Sequence, residues 1–200
     1  MNIYTKLIQL RLLYYKLKTL IWYKPFFKNC GSNNRIIKPL LLTPQCVILR
    51  SNIFLRDNCR LEGVFSYAGV NYDPLITLND NISIEQNLHL TCANKITIGA
   101  NTAIAANVTI TDINHPYADI SLPPEKQVLQ VSEVIIGGSC KIYNNAVLLP
   151  GTILGKHNIV GANSVVSGVF PDYCVIAGTP AKIIKLYNER TGKWEKTETD

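Results

Sequence analysis

The chain has 200 residues, 47% hydrophobic and 17% charged, which excludes a disordered or supercharged protein and suits one domain, or one domain with an arm. Its net charge of +6 is uneven: residues 1–56 hold ten of the twenty Lys and Arg and no Asp or Glu, while residues 57–200 hold ten basic and fourteen acidic residues. A body of net negative sign argues against nucleic-acid binding.

Residues 1–44 read as a basic amphipathic helical arm. Leu7, Leu10, Leu13 (or Tyr14), Leu17 and Ile21 recur at three-to-four spacing up to Pro25, the period of a helix face. Lys6, Arg11, Lys16, Lys18 and Lys24 interrupt every apolar run, so no stretch reaches the roughly 18 residues of a bilayer crossing. The same interruptions argue against a signal peptide, which needs an unbroken apolar core. Two destinations suit such a helix. It packs on its own body or on a neighbouring subunit, or it rests through residues 1–28 on anionic lipid at the inner membrane surface. Six cysteines without a C-x-x-C pair point to reduced thiols in the cytoplasm.

From residue 45 the chain counts in sixes. Leu49, Leu55 and Leu61 are followed by Leu78, Ile84 and Leu90, then Ile98, Ile104 and Ile110, then Ile136, Ile142, Leu148, Leu154, Val160 and Val166. Two positions before most of these stands a smaller or β-branched residue such as Val47, Ile53, Cys59, Thr102 or Cys140. Apolar residues at every second position are strand-like, and Asn, Asp or Gly between them tolerate the left-handed backbone of tight corners. A period of six with two inward residues per unit predicts an all-β protein, a parallel β-helix of five three-sided coils over residues 45–181. Residues 182–200 are expected to form a short helix or tail. The count stops after Ile110, and residues 113–133 loop out, with His115-Pro116 at the start of the excursion; Pro116 keeps the backbone from resuming the ladder at once.

The stretch "IGANTAIAANVTITDINHPYADI", followed by "PGTILG", "GANSVV" and "AGTPAK", resembles the hexapeptide-repeat acyltransferases. Within them it is most similar to the maltose/galactoside O-acetyltransferases and to the bacterial O-antigen, capsule and colanic-acid acetyltransferases. The resemblance covers about residues 45–195 and implies a left-handed parallel β-helix, a homotrimer with sites between subunits, and acetyl-CoA as donor. It also implies that His115 is the general base of a direct transfer, without an acyl-enzyme. Histidine suits that role, because its ordinary pKa of about 6.5 leaves it largely neutral, and able to take a hydroxyl proton, at neutral pH.

Further roles follow from the resemblance position by position. Asp112 stands where it would orient the imidazole or the acceptor sugar, although the family's D-H-x-H is here Asp112-Ile113-Asn114-His115. Glu85 aligns with an Asn that holds the acceptor, and Asn87 lies beside it. Gly161, Ala162 and Ser164 of "GANS" are small enough for the pantetheine to pass. Thr179 and Lys182 of "AGTPAK" fall where the CoA phosphates are met, and Lys141 replaces a cation lost at Ser167-Gly168. His89 and His157 read as surface residues. The three histidines are spaced by 26 and 42 residues, unlike the zinc ligands of the γ-class carbonic anhydrases, so no metal site is expected. The function expected is acetyl-CoA-dependent O-acetylation of a sugar in O-antigen, capsule or exopolysaccharide synthesis. Acyl transfer to an amine, a free sugar or a xenobiotic, and a non-catalytic β-helix scaffold, are the alternatives.

Overall fold

The structure, a computed structural model, describes residues 2–197; Met1 of the arm and residues 198–200 of the expected tail lie outside them. Helix α1 (Ile3–Lys18) is capped by the Asn2 side chain, which accepts from the Thr5 amide at 2.9 Å. A wider turn at Thr19–Tyr23 and a tight one around Pro25 end the helical segment. Tyr15 and Thr19 are buried against the body, and Thr19 Oγ1 accepts from the Ile36 amide at 2.9 Å. The sequence stripe points elsewhere: Leu7, Leu10, Leu13, Leu17 and Ile21 are all exposed, with Trp22 at 66%. The stripe therefore does not pack on the body of its own chain.

Three parallel sheets follow, forming the sides of a β-helix. The first runs from Asn29–Cys30 to Val169–Phe170 in seven strands, and the third from Leu41–Leu42 to Val165–Val166 in six. The second has seven parallel strands from Arg35–Ile36 to Cys174–Gly178. The body thus begins at residue 29, not 45, and holds more than the five expected coils. Cys30, Ile36 and Leu42 keep the six-residue beat one coil earlier. Only their neighbours, rich in proline and asparagine, disguise it. Past Gly178 the chain turns back, and Ala181–Asn188 and Lys193–Lys196 add antiparallel strands to the second sheet. These strands stand where a short helix or tail is expected. The alternating burial of "AKIIKL" covers the last parallel edge, which would otherwise offer unpaired backbone.

Every aliphatic residue of the beat from Leu49 to Val166 is at most 2% exposed. Trimming one to alanine costs about 2–5 kcal/mol, because stacked coils cannot collapse into the void. The corners are held by asparagines. Asn58, Asn87, Asn107, Asn145 and Asn163 all stand at φ between 58 and 62°. The side-chain amides of the first four each donate to the next side-chain carbonyl at 2.8–3.1 Å, forming a continuous ladder. Asn33, Asn52, Asn81 and Asn101 form a second ladder on the preceding corner. Gly137 stands between Gly99 and Gly155 on that corner, and a Cβ on it would lie 2.5 Å from the Gly155 carbonyl.

Two segments leave the corner that follows the third sheet. One departs after Arg60–Gly63 and forms a small hairpin of Ser66–Tyr67 and Val70–Asn71. The other departs after Thr109–Thr111, two coils further along. Between them lies the strand His89–Cys92.

Candidate active site

The excursion leaves the coil at Asp112. After Ile110 faces inward and Thr111 outward, Asp112 turns inward again and is fully buried. Its carboxylate accepts from the amides of Ala93, Asn94 and Lys95, each at 2.8 Å, and from the Cys92 thiol at 3.2 Å. Asp112 therefore ties the departing chain to the corner of the coil before it. The orienting role expected from the sequence does not match this geometry, since its oxygens are occupied by backbone. Burial, then the Asp112 charge, raises the Cys92 thiol well above its ordinary range. The thiols of Cys46, Cys59, Cys140 and Cys174 are also raised, in each case chiefly by burial, so none is a thiolate nucleophile at neutral pH.

Ile113–Asn114 then pairs antiparallel with Gln130–Val131, which closes the excursion at its base and sends His115 out over the third sheet. The imidazole is half-buried, with the Tyr67 ring edge-on at 5.2 Å between centroids. Its Nδ1 is buried and has no hydrogen-bond partner among the described residues.

His115 opens on a groove of about 380 Å³. Its floor is the outer face of the third sheet: Arg60, His89 and Thr109 stack in register in one row. Glu62, Thr91 and Thr111 stack in the next, with the Thr91 hydroxyl donating to Thr111 Oγ1 at 3.0 Å. Arg60 pairs with Glu62, and its guanidinium lies 3.4 Å from His89 Nε2. Burial, then the Arg60 charge, pushes the His89 pKa below its ordinary value. His89 is thus part of the groove, not the bland surface residue that its sequence position implies.

The two insertions roof this groove together. The Tyr67 hydroxyl donates to Glu125 Oε2 at 2.6 Å, and the Leu129 amide donates to the Tyr72 hydroxyl at 3.1 Å. The neighbouring carboxylate, which accepts the phenolic proton, pushes the Tyr67 pKa up to about 12.

The remaining sequence candidates lie elsewhere. Glu85 pairs with Arg56 at 2.9 Å and does not line the groove. Asn87 is a rung of the asparagine ladder, donating to Asn107 and accepting from Asn58, which occupies the amide expected to hold an acceptor. Ser164 is fully buried and accepts from the Gly178 amide at 3.2 Å, so it braces the coil and is closed to a donor. A Cβ on Gly161 would come within 3.0 Å of Ala177 Cβ, so that glycine answers to coil packing. Ala162 and Thr179 are exposed, the Thr179 hydroxyl donating to the Asn163 carbonyl at 3.2 Å. Lys182 is exposed on the closing antiparallel strand, opposite Ala177. The Lys141 ammonium sits over the Tyr143 ring at 5.4 Å. His157 occupies an exposed corner against Tyr173 and Trp194. The donor candidates thus lie on the second sheet or on the corner leading from it to the third. His115 hangs from the corner after the third.

Comparison with known proteins agrees with this architecture. The family described as bacterial transferase hexapeptide (six repeats) matches residues 133–168. A protein of Escherichia coli K12 with the provisional name lipopolysaccharide biosynthesis O-acetyl transferase WbbJ is 38% identical over 180 residues, covering 81% of this chain and 92% of that protein. The galactoside O-acetyltransferase of the same organism is 30% identical over 120 residues, 60% of this chain and 58% of that one. Among solved structures, AntD, an N-acyltransferase from Bacillus cereus in complex with dTDP and 3-hydroxybutyryl-CoA, superposes with a TM-score of 0.71 at 18% identity, covering 88% and 91% of the two chains. The acetyltransferase VCA0836 of Vibrio cholerae, complexed with acetyl-CoA, gives 0.56 at 16% identity, covering 94% and 91%.

Proposed function

The chain belongs to the hexapeptide-repeat acetyltransferases, with their left-handed parallel β-helix, and from that premise we propose that it transfers an acetyl group from acetyl-CoA to a sugar hydroxyl, His115 being the general base. The observation that carries this reading is the His115 groove. A regular coil has no place for a reacting side chain, and here the repeat is broken, anchored by Asp112 and roofed by two clasped insertions around one histidine. The acceptor hydroxyl gives its proton to the imidazole as its oxygen attacks the thioester carbonyl. The C–S bond then breaks, and the proton leaves with the CoA thiolate. No residue is acylated.

The chain works as a homotrimer in this reading. His115 hangs from one edge of the third sheet while the donor candidates lie beyond its other edge, and a neighbouring subunit would set one chain's donor edge against another's His115. The same neighbour, or the acceptor, supplies the partner that His115 Nδ1 lacks among the described residues. The relative named for lipopolysaccharide biosynthesis supports a glycan acceptor.

No helix among the described residues is long and apolar enough to cross a membrane. We place residues 1–28 on the anionic inner membrane surface, where lipid-linked acceptors are assembled. The exposed apolar stripe and the absence of acidic residues before Asp57 support this. Thiol release from acetyl-CoA tests the activity. It is expected only when a sugar or glycan extract is added, and release at the same rate without acceptor would contradict the proposal. Pelleting with phosphatidylglycerol vesicles but not phosphatidylcholine vesicles is the result expected of the arm.

A further inference from the structure

Resting on the sugar-acetylating reading, we infer that Arg60, Glu62 and His89 form a second sugar subsite, so that the acceptor is an oligosaccharide of uncharged residues lying along the third sheet.

The outer face of that sheet changes character at the coil that carries His115. Reading one row along the axis, the side chains are Leu41, then Arg60, His89 and Thr109, then Val147 and Val165. The parallel row of Glu62, Thr91 and Thr111 adds a carboxylate and two hydroxyls on the same side of the divide. Toward the C-terminal coils, which carry "GANS" and "AGTPAK", the row is aliphatic. On the N-terminal side it holds three hydrogen-bonding groups, Arg60, His89 and Thr109, before Leu41 ends the row. Coils stack about 4.8 Å apart, so Arg60 lies about 10 Å beyond Thr109. A pyranose seated over Thr109 and Thr111 would leave Arg60, two coils away, to a second residue.

The far end is chemically specific. Glu62 presents carboxylate oxygens that accept from sugar hydroxyls, and Arg60 presents guanidinium N–H groups that donate to hydroxyl or ring oxygens. Their mutual pairing leaves the cluster without net charge. His89 lies against the same guanidinium and is biased toward its neutral form. An acidic sugar would find no uncompensated cation there, whereas a neutral one finds donors and acceptors together. The roof spans the same length: Tyr67 and Leu129 line the groove along with Arg60 and Glu62, and Tyr67 is bonded to the excursion that carries His115.

The test uses the full chain with acetyl-CoA and four acceptors: galactose, lactose, galacturonic acid and digalacturonic acid. Thiol release gives kcat and KM for wild type, for His89→Gln and for the double variant Arg60→Ala/Glu62→Ala, which removes the ion pair without stranding either charge. Melting curves confirm folding, and CoA binding is measured separately. In the wild type, kcat/KM for lactose is expected to exceed that for galactose by at least about tenfold, through KM. The acidic pair should gain nothing from the second residue. In the double variant the lactose and galactose values should converge, and His89→Gln should narrow the gap. Equal values for the two neutral acceptors in wild type, an unchanged ratio in the variants, or preference for the digalacturonate would overturn the inference and leave the sugar-acetylating reading intact. Turnover of none of the four, nor of a glycan extract, with CoA bound, would remove both.

Discussion

The Tyr67 hydroxyl donates to Glu125 across 2.6 Å, and this bond joins two insertions that leave the β-helix two coils apart. One carries the Tyr67 ring to His115 and the other carries His115 itself. Neither insertion is part of the hexapeptide scaffold, so their mutual contact, with that of Tyr72 and Leu129, defines the groove.

Tyr67→Phe keeps the ring against His115 and removes the clasp. KM for the acceptor should rise roughly 3- to 10-fold, with donor KM unchanged. In Glu125→Gln, ultraviolet titration should show the Tyr67 phenol falling from about 12 toward the ordinary value near 10, because the carboxylate that disfavours the phenolate is gone. An unmoved titration would disprove the contact.

Asp112→Ala is expected to destabilise the fold by about 2–3 kcal/mol, since the buried Ala93 amide and two part-buried amides lose their acceptor together. A thermal melt at fixed protein concentration measures it. Asp112→Asn should retain part of the loss and leave the pH profile of kcat unaltered. A shifted profile would restore the orienting role to Asp112.

Asn107 stands mid-ladder at φ 62°. Asn107→Ala should cost about 1 kcal/mol more than Asn107→Gly, since both lose the ladder bonds but only alanine is strained by the left-handed backbone. Chemical denaturation of the two variants reads the difference, and equal stabilities would mean that the corner relaxes.

His89 gives the pH dependence a sign. Its pKa is lowered in the folded state, so between that value and about 6.5 the unfolded chain binds more protons and stability rises with pH. Stability is therefore lost as pH falls below about 6.5, and His89→Gln should flatten that part of the profile in thermal melts at stepped pH.

Much of this is legible in the residues. The six-residue beat locates the interior of every coil from Leu49 to Val166, because one inward aliphatic per side is a steric requirement of a closed triangular coil. The groove floor is legible too: Arg60, His89 and Thr109 each stand one residue before Leu61, Leu90 and Ile110, so phase alone stacks them. The insertion after Gly63 separates Arg60 from His89 in the chain and hides that relation. Asp112 is less accessible, since an aspartate beside a candidate base reads as its partner. Only the inward phase, two residues after Ile110, signals burial. The arm's stripe is plain in the sequence, but which side meets the body depends on Tyr15 and Thr19, and the helical period cannot rank those contacts.

The most direct test of the account is single-turnover acetyl transfer by wild type and His115→Ala, with CoA affinity measured on the same preparations by calorimetry. Transfer should fall by roughly 10²–10⁴-fold while CoA affinity stays within about twofold and no acetylated protein is found by intact mass. Transfer within a few-fold of wild type in the alanine variant, or an acetyl group retained on the protein, would contradict His115 as the base of a direct transfer.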